Sequence, residues 1–297
     1  MITHGNDMPV SPERVVVLGP GGFIAGAIVR ALSSHGVPVQ GLGRPEFDLL
    51  RPDGVERLAA ELRPGDAVVF ASARAPCKDL GMLQQNLAMA ATVCTAFRRK
   101  PPAHVVYISS DAVYRDSSSP LSEDSCAEPG SLHGVMHLAR EVALRSEFSG
   151  PLAIVRPTLV YGLEDPHNGY GPNRFRRLAE AGQDIVLFGE GEERRDHVDV
   201  EDVAELVRLI VLHRSSGVAN AVSGEVVSFR ELAVFVASEF EPRVAVKSSP
   251  RTGPMPHGGY RPLDNAAVRR GLPDFRFRSW REGLARVHAM VKAGSAR

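Results

Sequence analysis

Three side chains on one predicted helix, residues 132–145, carry acid–base and metal-binding potential. His133, His137 and Glu141 stand at i, i+4 and i+8, which puts them on one helix face. An imidazole titrates near pH ~6.5 without help, so either histidine can exchange a proton at neutral pH. Two histidines and a carboxylate also form a zinc donor set. Three ligands stacked along one straight helix cannot converge on a single ion, so no metal is expected. A second feature is built from glycine: Gly19-x-x-Gly22-x-x-Ala25 follows the apolar run Val15-Val16-Val17-Leu18. Gly19 permits a tight turn, Gly22 lets backbone approach a pyrophosphate at a helix N-terminus, and the small Ala25 lets helix and strand pack closely. Between a strand and a helix, this spacing predicts a dinucleotide site.

The elements that must position these residues alternate in type. Continuous apolar runs predict buried strands at 15–18, 37–42, 67–71, 105–109 and 152–155. Helical spacing fills the gaps, from the glycine turn to about 33, then over 53–62, 80–99 and 132–145, with Pro101-Pro102 closing the third helix. This order predicts an α/β fold with a doubly wound parallel sheet, a Rossmann domain over 14–165. Residues 164–173 are rich in Gly, Pro and polar residues and read as a mobile loop over a ligand. Beyond them a helix is expected at 175–181, a strand at 185–188 and an amphipathic helix at 200–212. A strand at 219–222 and helices at 228–239 and 280–291 complete the reading. Residues 194–222 are expected to return to the first domain. Residues 166–193 and 223–297 are expected to form a smaller C-terminal substrate lobe. The charged stretch 190–196 and Ser117-Ser118-Ser119 read as solvated loops.

The end of the second strand, Gln40-Gly41-Leu42-Gly43-Arg44, lacks the acidic residue that usually holds the adenosine ribose hydroxyls. Arg44 there would pair with a 2′-phosphate, which tips the preference slightly to NADP; the other reading is a solvated loop arginine.

Composition narrows the partners. Thirty-five Lys plus Arg balance thirty-five Asp plus Glu, so neither nucleic acid nor an anionic membrane is expected as a partner. Three widely spaced cysteines, Cys77, Cys94 and Cys126, make no disulfide framework and suit a reducing compartment. The first thirteen residues lack the basic-then-apolar order of a secretory signal. The longest apolar stretch, 87–97, is too short to span a bilayer. A cytoplasmic protein is expected.

Taken in order, several segments resemble the extended short-chain dehydrogenase/reductases, the NAD-dependent epimerase/dehydratase group acting on sugar nucleotides. They are the glycine turn with Phe23-Ile24, Phe47-Asp48-Leu49, Phe70-Ala71-Ser72-Ala73 and Asn86. Ile108-Ser109-Ser110-Asp111-Ala112-Val113-Tyr114, Arg156-Pro157-Thr158-Leu159-Val160-Tyr161-Gly162, the stretch 189–204 and Trp280-Arg281-Glu282-Gly283-Leu284 follow. The resemblance implies that NAD(P) is held by Gly19, Gly22, Phe23, Ile24, Asp48, Leu49, Ala71, Ala73, Asn86, Ser109, His137 and Pro157, with Arg44 added by the reading above. It implies that Ser110, Asp111 and Arg195 meet the substrate, with Ser110 orienting the reacting oxygen and Arg195 pairing with a diphosphate. It also implies a homodimer through the helices at 80–99 and 132–145, both of which carry wide apolar faces.

The family's catalytic motif pairs a Tyr with a Lys four residues later. Here His133 takes the Tyr position and His137 the Lys position. If the protein is an enzyme, His133 is expected to move the proton and His137 to hold the nicotinamide ribose or a neighbouring water. Three functions remain open at this point. They are a sugar-nucleotide epimerase, dehydratase or reductase with histidine chemistry, a redox-silent NAD(P)-binding sensor or partner, and a non-redox lyase or isomerase.

Overall fold

The computed structural model describes residues 2–295. The chain first runs β1 (Val15–Leu18), α1 (Phe23–Ser34), β2 (Val39–Leu42), α2 (Gly54–Glu61), β3 (Ala67–Phe70), α3 (Leu80–Arg99), β4 (His104–Ile108), α4 (Leu132–Glu147) and β5 (Leu152–Pro157). It continues through β6 (Leu159–Tyr161), α5 (Pro172–Glu180), β7 (Ile185–Phe188), β8 (Arg194–Asp199), α6 (Val200–Leu212), β9 (Gly217–Ala221) and β10 (Val226–Ser228). The last elements are α7 (Phe229–Ser238), β11 (Val246–Ser249), β12 (Tyr260–Arg261), α8 (Ala266–Gly271) and α9 (Trp280–Ser295).

Six parallel strands form the main sheet in the order β2-β1-β3-β4-β5-β9. The chain steps outward from β1 to β2 and then crosses back to β3, so the topological switch lies beside the end of β1, where open α/β sheets bind ligands. All four residues of β1 and of β3 are buried, as expected for strands covered on both faces. One face packs on α1 and α6 through Ile28, Leu32, Val203 and Val207. The other packs on α2, α3 and α4 through Leu58, Val93, Phe97 and Leu144.

Beside this unit, β8 is the centre of a small sheet, antiparallel to β10 and parallel to β12 and β6, while β7 pairs with β11. A third core, built from Phe175, Leu187, Phe229, Leu232 and Trp280, sits under these strands. Asp199, fully buried at the end of β8, takes both oxygens to Arg286 of α9 at 2.7 and 2.9 Å, and so ties the last helix to the small sheet.

Two sequence expectations need correction. Residues 190–196 are not simply a solvated stretch. Glu193, Arg195 and Asp196 are buried, and β8 begins at Arg194. The Asp196 carboxylate is satisfied internally: it accepts hydrogen bonds from Ser223 N–H and Oγ–H and from Gly224 N–H, at 3.0, 2.9 and 2.7 Å. The helix expected at 175–181 starts earlier, with Pro172 in its first turn, where a missing N–H costs nothing.

Candidate active site

Two adjoining cavities open along the carboxyl end of the main sheet. The first, about 500 Å³, is lined by Gly19, Gly21, Gly22, Gly43, Arg44, Asp48, Leu49, Ala71 and Ala73, among others. The second, about 590 Å³, shares Gly21, Gly22, Ala71 and Ala73 with it. Its wall continues through Phe23, Ile24, Ser109, Ser110, Asp111, His133, His137, Pro157 and Arg195. Of the residues that the sequence marked for the site, Asn86 alone lines neither. It is fully buried, and its amide accepts from Arg74 N–H at 2.9 Å and donates to the Arg74 and Met82 carbonyls. Asn86 therefore fixes the chain segment that follows β3, behind the cavity wall.

The first cavity suits a dinucleotide. Helix α1 begins with neither a capping side chain nor an acidic residue in its first turn, so its positive end is left for an anion. Gly19 has φ +86°, and a Cβ there would stand 2.8 Å from Ser72 Oγ. The missing ribose acid has a steric cause. A Cβ on Gly41 or Gly43 would lie 2.8 or 2.9 Å from the Pro20 ring, so the proline of the turn excludes side chains from that end of β2. Arg44 is exposed at the rim and makes no ion pair among the described residues. Asp48 accepts from Leu50 N–H at 2.9 Å.

Helix α4 brings both histidines to the second cavity. Ser131 caps it by accepting from Gly134 N–H at 3.2 Å. A Cβ at Gly134 would lie 2.0 Å from the Ala112 carbonyl oxygen, so the helix can press this closely on the loop after β4 only with glycine there. Further along, Glu141 is fully buried and receives Arg156 at 2.9 and 2.6 Å and the Ser109 hydroxyl at 2.6 Å. This network locks α4 to β4 and β5, and it occupies both the Glu141 carboxylate and the Ser109 hydroxyl. Among the described residues, no three His, Cys, Asp or Glu side chains are grouped to hold a metal ion.

The hydrogen bonds around the imidazoles set their tautomers. Cys77 N–H donates to Nδ1 of His133 at 3.3 Å, so the neutral ring carries its proton on Nε2. The buried Tyr107 hydroxyl lies 2.8 Å from Nδ1 of His137, which is the acceptor available to it among the described residues. Burial pushes the Tyr107 phenol up to about 12, so the proton stays on oxygen and Tyr107 donates. His137 thus also bears its proton on Nε2. The two rings meet edge to face, 4.7 Å apart. Desolvation lowers both imidazoles from the ordinary histidine range, His137 further than His133, against an opposing pull on His133 from Asp111. Both are neutral hydrogen-bond donors at pH 7.

Ser110 accepts from Ala112 N–H at 3.1 Å, capping the short turn after β4 while it lines the cavity. Asp111 is held by Arg261, which is almost fully buried, at 3.3 Å. Arg195 reaches Glu193 at 3.5 Å, and its buried Nε has no partner. Three further phenols lie outside this cavity. Tyr114 donates to Asn220 at 2.6 Å, Tyr161 is buried under α9, and Tyr170 lines only a smaller neighbouring space. Sequence reasoning passed over His167 and Asp165, both of which line the second cavity from the segment before α5. Neither belongs to a periodic element, so spacing gave no signal for them.

The model of the NAD dependent epimerase/dehydratase family matches residues 15–223. The chain belongs to this family. Over 94% of its length and 96% of the relative's, it is 28% identical to a UDP-glucose 4-epimerase of Mycolicibacterium smegmatis. It is also 28% identical to methionine adenosyltransferase 2 subunit beta of Xenopus laevis, over 53% of this chain and 50% of that protein. The Thermus thermophilus UDP-glucose 4-epimerase, solved in complex with NAD, superposes with a TM-score of 0.79 at 25% identity, covering 93% of this chain and 98% of that one.

Proposed function

We propose that this protein is an NAD(P)-dependent enzyme that modifies a nucleotide-linked sugar, with His133 and His137 as neutral hydrogen-bond donors at its centre. One observation carries the reading. The N-terminus of α1, Ser110, both histidines and Arg195 line a single cavity that continues from the dinucleotide groove. When bound, the dinucleotide supplies hydride exchange. His133 Nε2–H and Ser110 polarise and orient the reacting oxygen, as a neutral imidazole can do without becoming a cation. His137 Nε2–H holds the ribose beside the nicotinamide. Arg195, with one nitrogen unpartnered, takes the diphosphate of the substrate. NADP is the preferred cofactor, through Arg44. Mass spectrometry of small molecules released from the purified protein tests the assignment. An NAD(P) species is expected, and a preparation that neither carries nor takes up either dinucleotide refutes it.

The pair of neutral donors also supports a second reading, a redox-silent NAD(P)-binding partner protein, because neither cavity-facing nitrogen accepts a proton. The match to an enzyme's beta subunit fits it. Recovery of every nucleotide sugar unchanged, by protein that holds its dinucleotide, distinguishes this reading.

A cytoplasmic location is proposed on the strength of the three free cysteines. No described helix is long and apolar enough to cross a membrane. A homodimer through α3 and α4 is proposed as well. Leu80 and Leu87 on α3, and Val135 and Val142 on α4, are 67, 38, 39 and 55% exposed, an apolar stripe of the kind a second copy covers. A monomeric mass by light scattering at micromolar concentration rules the dimer out.

A further inference from the structure

If His133 and His137 both present Nε2–H to the cavity, the site needs another group to accept a proton from a substrate hydroxyl. Cavity-lining carboxylates are already engaged. Asp111 is paired with Arg261 and accepts from Ser110 and Thr158, both at 3.4 Å. Asp165 is buried, 3.7 Å from the Arg177 guanidinium, and accepts His167 N–H at 3.2 Å. No tyrosine lines this cavity among the described residues. His167 remains. Its side chain is exposed, and it lines both the substrate cavity and the smaller space beside it, which also holds His197.

The backbone that presents His167 is held from both sides by one side chain. Arg177 of α5 donates to the Asp165 carbonyl and to Asn168 Oδ1, the latter at 3.0 Å. Asn168 adopts φ +49°, a left-handed conformation that asparagine tolerates well. Glu164, at the start of the segment, pairs with Arg30 of α1 at 2.7 Å. The segment is therefore anchored to two helices, with the imidazole of His167 between the anchors. The sequence expectation of a mobile loop at 164–173 did not anticipate these ties.

We propose that His167 is the proton-transfer residue of this site. The inference rests on the sugar-nucleotide reading above. A substrate hydroxyl gives its proton to a ring nitrogen of His167: the O–H bond breaks, an N–H bond forms, and the electron pair stays on oxygen beside His133 Nε2–H and Ser110. The reverse step returns the proton. Because His167 is exposed, it exchanges that proton with water between turnovers. The charged and titratable groups around it are Asp165 and Tyr170 on its own segment, Arg177 on α5, Asp111, His133 and His137 across the cavity, Arg195 and His197 on β8, and the Glu164–Arg30 pair at the segment's start.

The test combines binding and kinetics on the full chain. In nitrogen-15 histidine spectra, UDP-glucose added with NADP should shift the ring signals of both His133 and His167. A shift at His133 with none at His167 overturns this proposal alone. A shift at neither, for any nucleoside diphosphate hexose, overturns it together with the reading beneath it. In turnover, His167→Ala should lower kcat about a hundredfold with KM within a few-fold, and added imidazole should restore part of the rate. Arg177→Ala, which frees the segment without removing the base, should raise KM and lower kcat, with no rescue by imidazole. A fully active His167→Ala protein, or one whose rate imidazole does not restore, contradicts the assignment.

Discussion

Tyr107 on β4 donates its phenolic proton to Nδ1 of His137 on α4 across 2.8 Å, and by doing so sets what the opposite nitrogen can do. The phenol sits where no water reaches it, under the Arg140 guanidinium, whose central carbon lies 5.5 Å from the ring centre. A buried donor of this kind must find an acceptor, so the pair is fixed by the cost of leaving the hydroxyl unmet.

Tyr107→Phe removes that donor. His137 should then populate the Nδ1–H tautomer, visible as an exchange of its two ring nitrogen shifts, and dinucleotide affinity should fall several-fold. An unchanged Nε2–H pattern would show that the phenol does not set the tautomer.

Gly134→Ala places a methyl carbon 2.0 Å from the Ala112 carbonyl oxygen, a backbone atom that cannot rotate away. Alanine gains roughly 1 kcal/mol in helix propensity, but overpacking against backbone costs about 1–3 kcal/mol or more. The variant should melt at lower temperature and lose substrate binding before dinucleotide binding, since His133 moves with the first turn of α4. A melting point equal to or above the parent's would contradict the close approach.

The pH dependence of stability has two opposing parts. Burial pushes His104 down to about 4 and His197 down to about 3 from 6.5, so the folded state refuses protons that the unfolded chain takes up. Their contribution is complete above pH 6.5 and is lost as pH falls towards 4. Asp196 and Asp202 are pushed by burial up to about 7 and about 6 from 3.8. They keep protons that the unfolded chain has released, so they cost stability as pH rises from 3.8 towards 7. His104→Gln keeps a donor for the Ser215 carbonyl, which His104 Nε2 reaches at 2.7 Å, and removes one titrating group. Denaturant unfolding of this variant should lose up to about 3 kcal/mol less than the parent between pH 6.5 and 4. An identical slope would mean that His104 does not carry the effect.

Much of the main sheet was legible because buried parallel strands are unbroken apolar runs, and α3 occupies the predicted residues, closed by Pro101-Pro102. The small sheet was not. Arg194-Arg195-Asp196-His197 has the composition of a surface segment, and it becomes a largely buried strand through its pairing with β10, β12 and β6 and through the Ser223-Gly224 turn that meets Asp196. The three-residue β10 and two-residue β12 are too short to show a period. At the site, helical spacing placed His133 and His137 on one face. Their proton positions depend on Cys77 and Tyr107, which lie 56 and 30 residues away in sequence. Contacts at that separation leave no local pattern, and His167, on an aperiodic segment, escaped for the same reason.

Arg44 offers a test of cofactor choice. Arg44→Ala should weaken NADP about tenfold and leave NAD within twofold, as expected for one charge-assisted contact to a 2′-phosphate. Titration calorimetry reads both. Equal loss for the two cofactors, or none, removes Arg44 from the specificity. Gly43→Asp paired with Pro20→Ala, which clears the space beside the strand end, should shift the preference to NAD.

The most direct measurement follows a panel of nucleoside diphosphate sugars by carbon-13 NMR in the presence of the purified protein, with and without added NADP or NAD. The proposed function predicts that at least one sugar is converted, that conversion needs the dinucleotide, and that His133→Ala abolishes it without releasing the cofactor. Recovery of every sugar unchanged, by a protein shown to hold its dinucleotide, would contradict it.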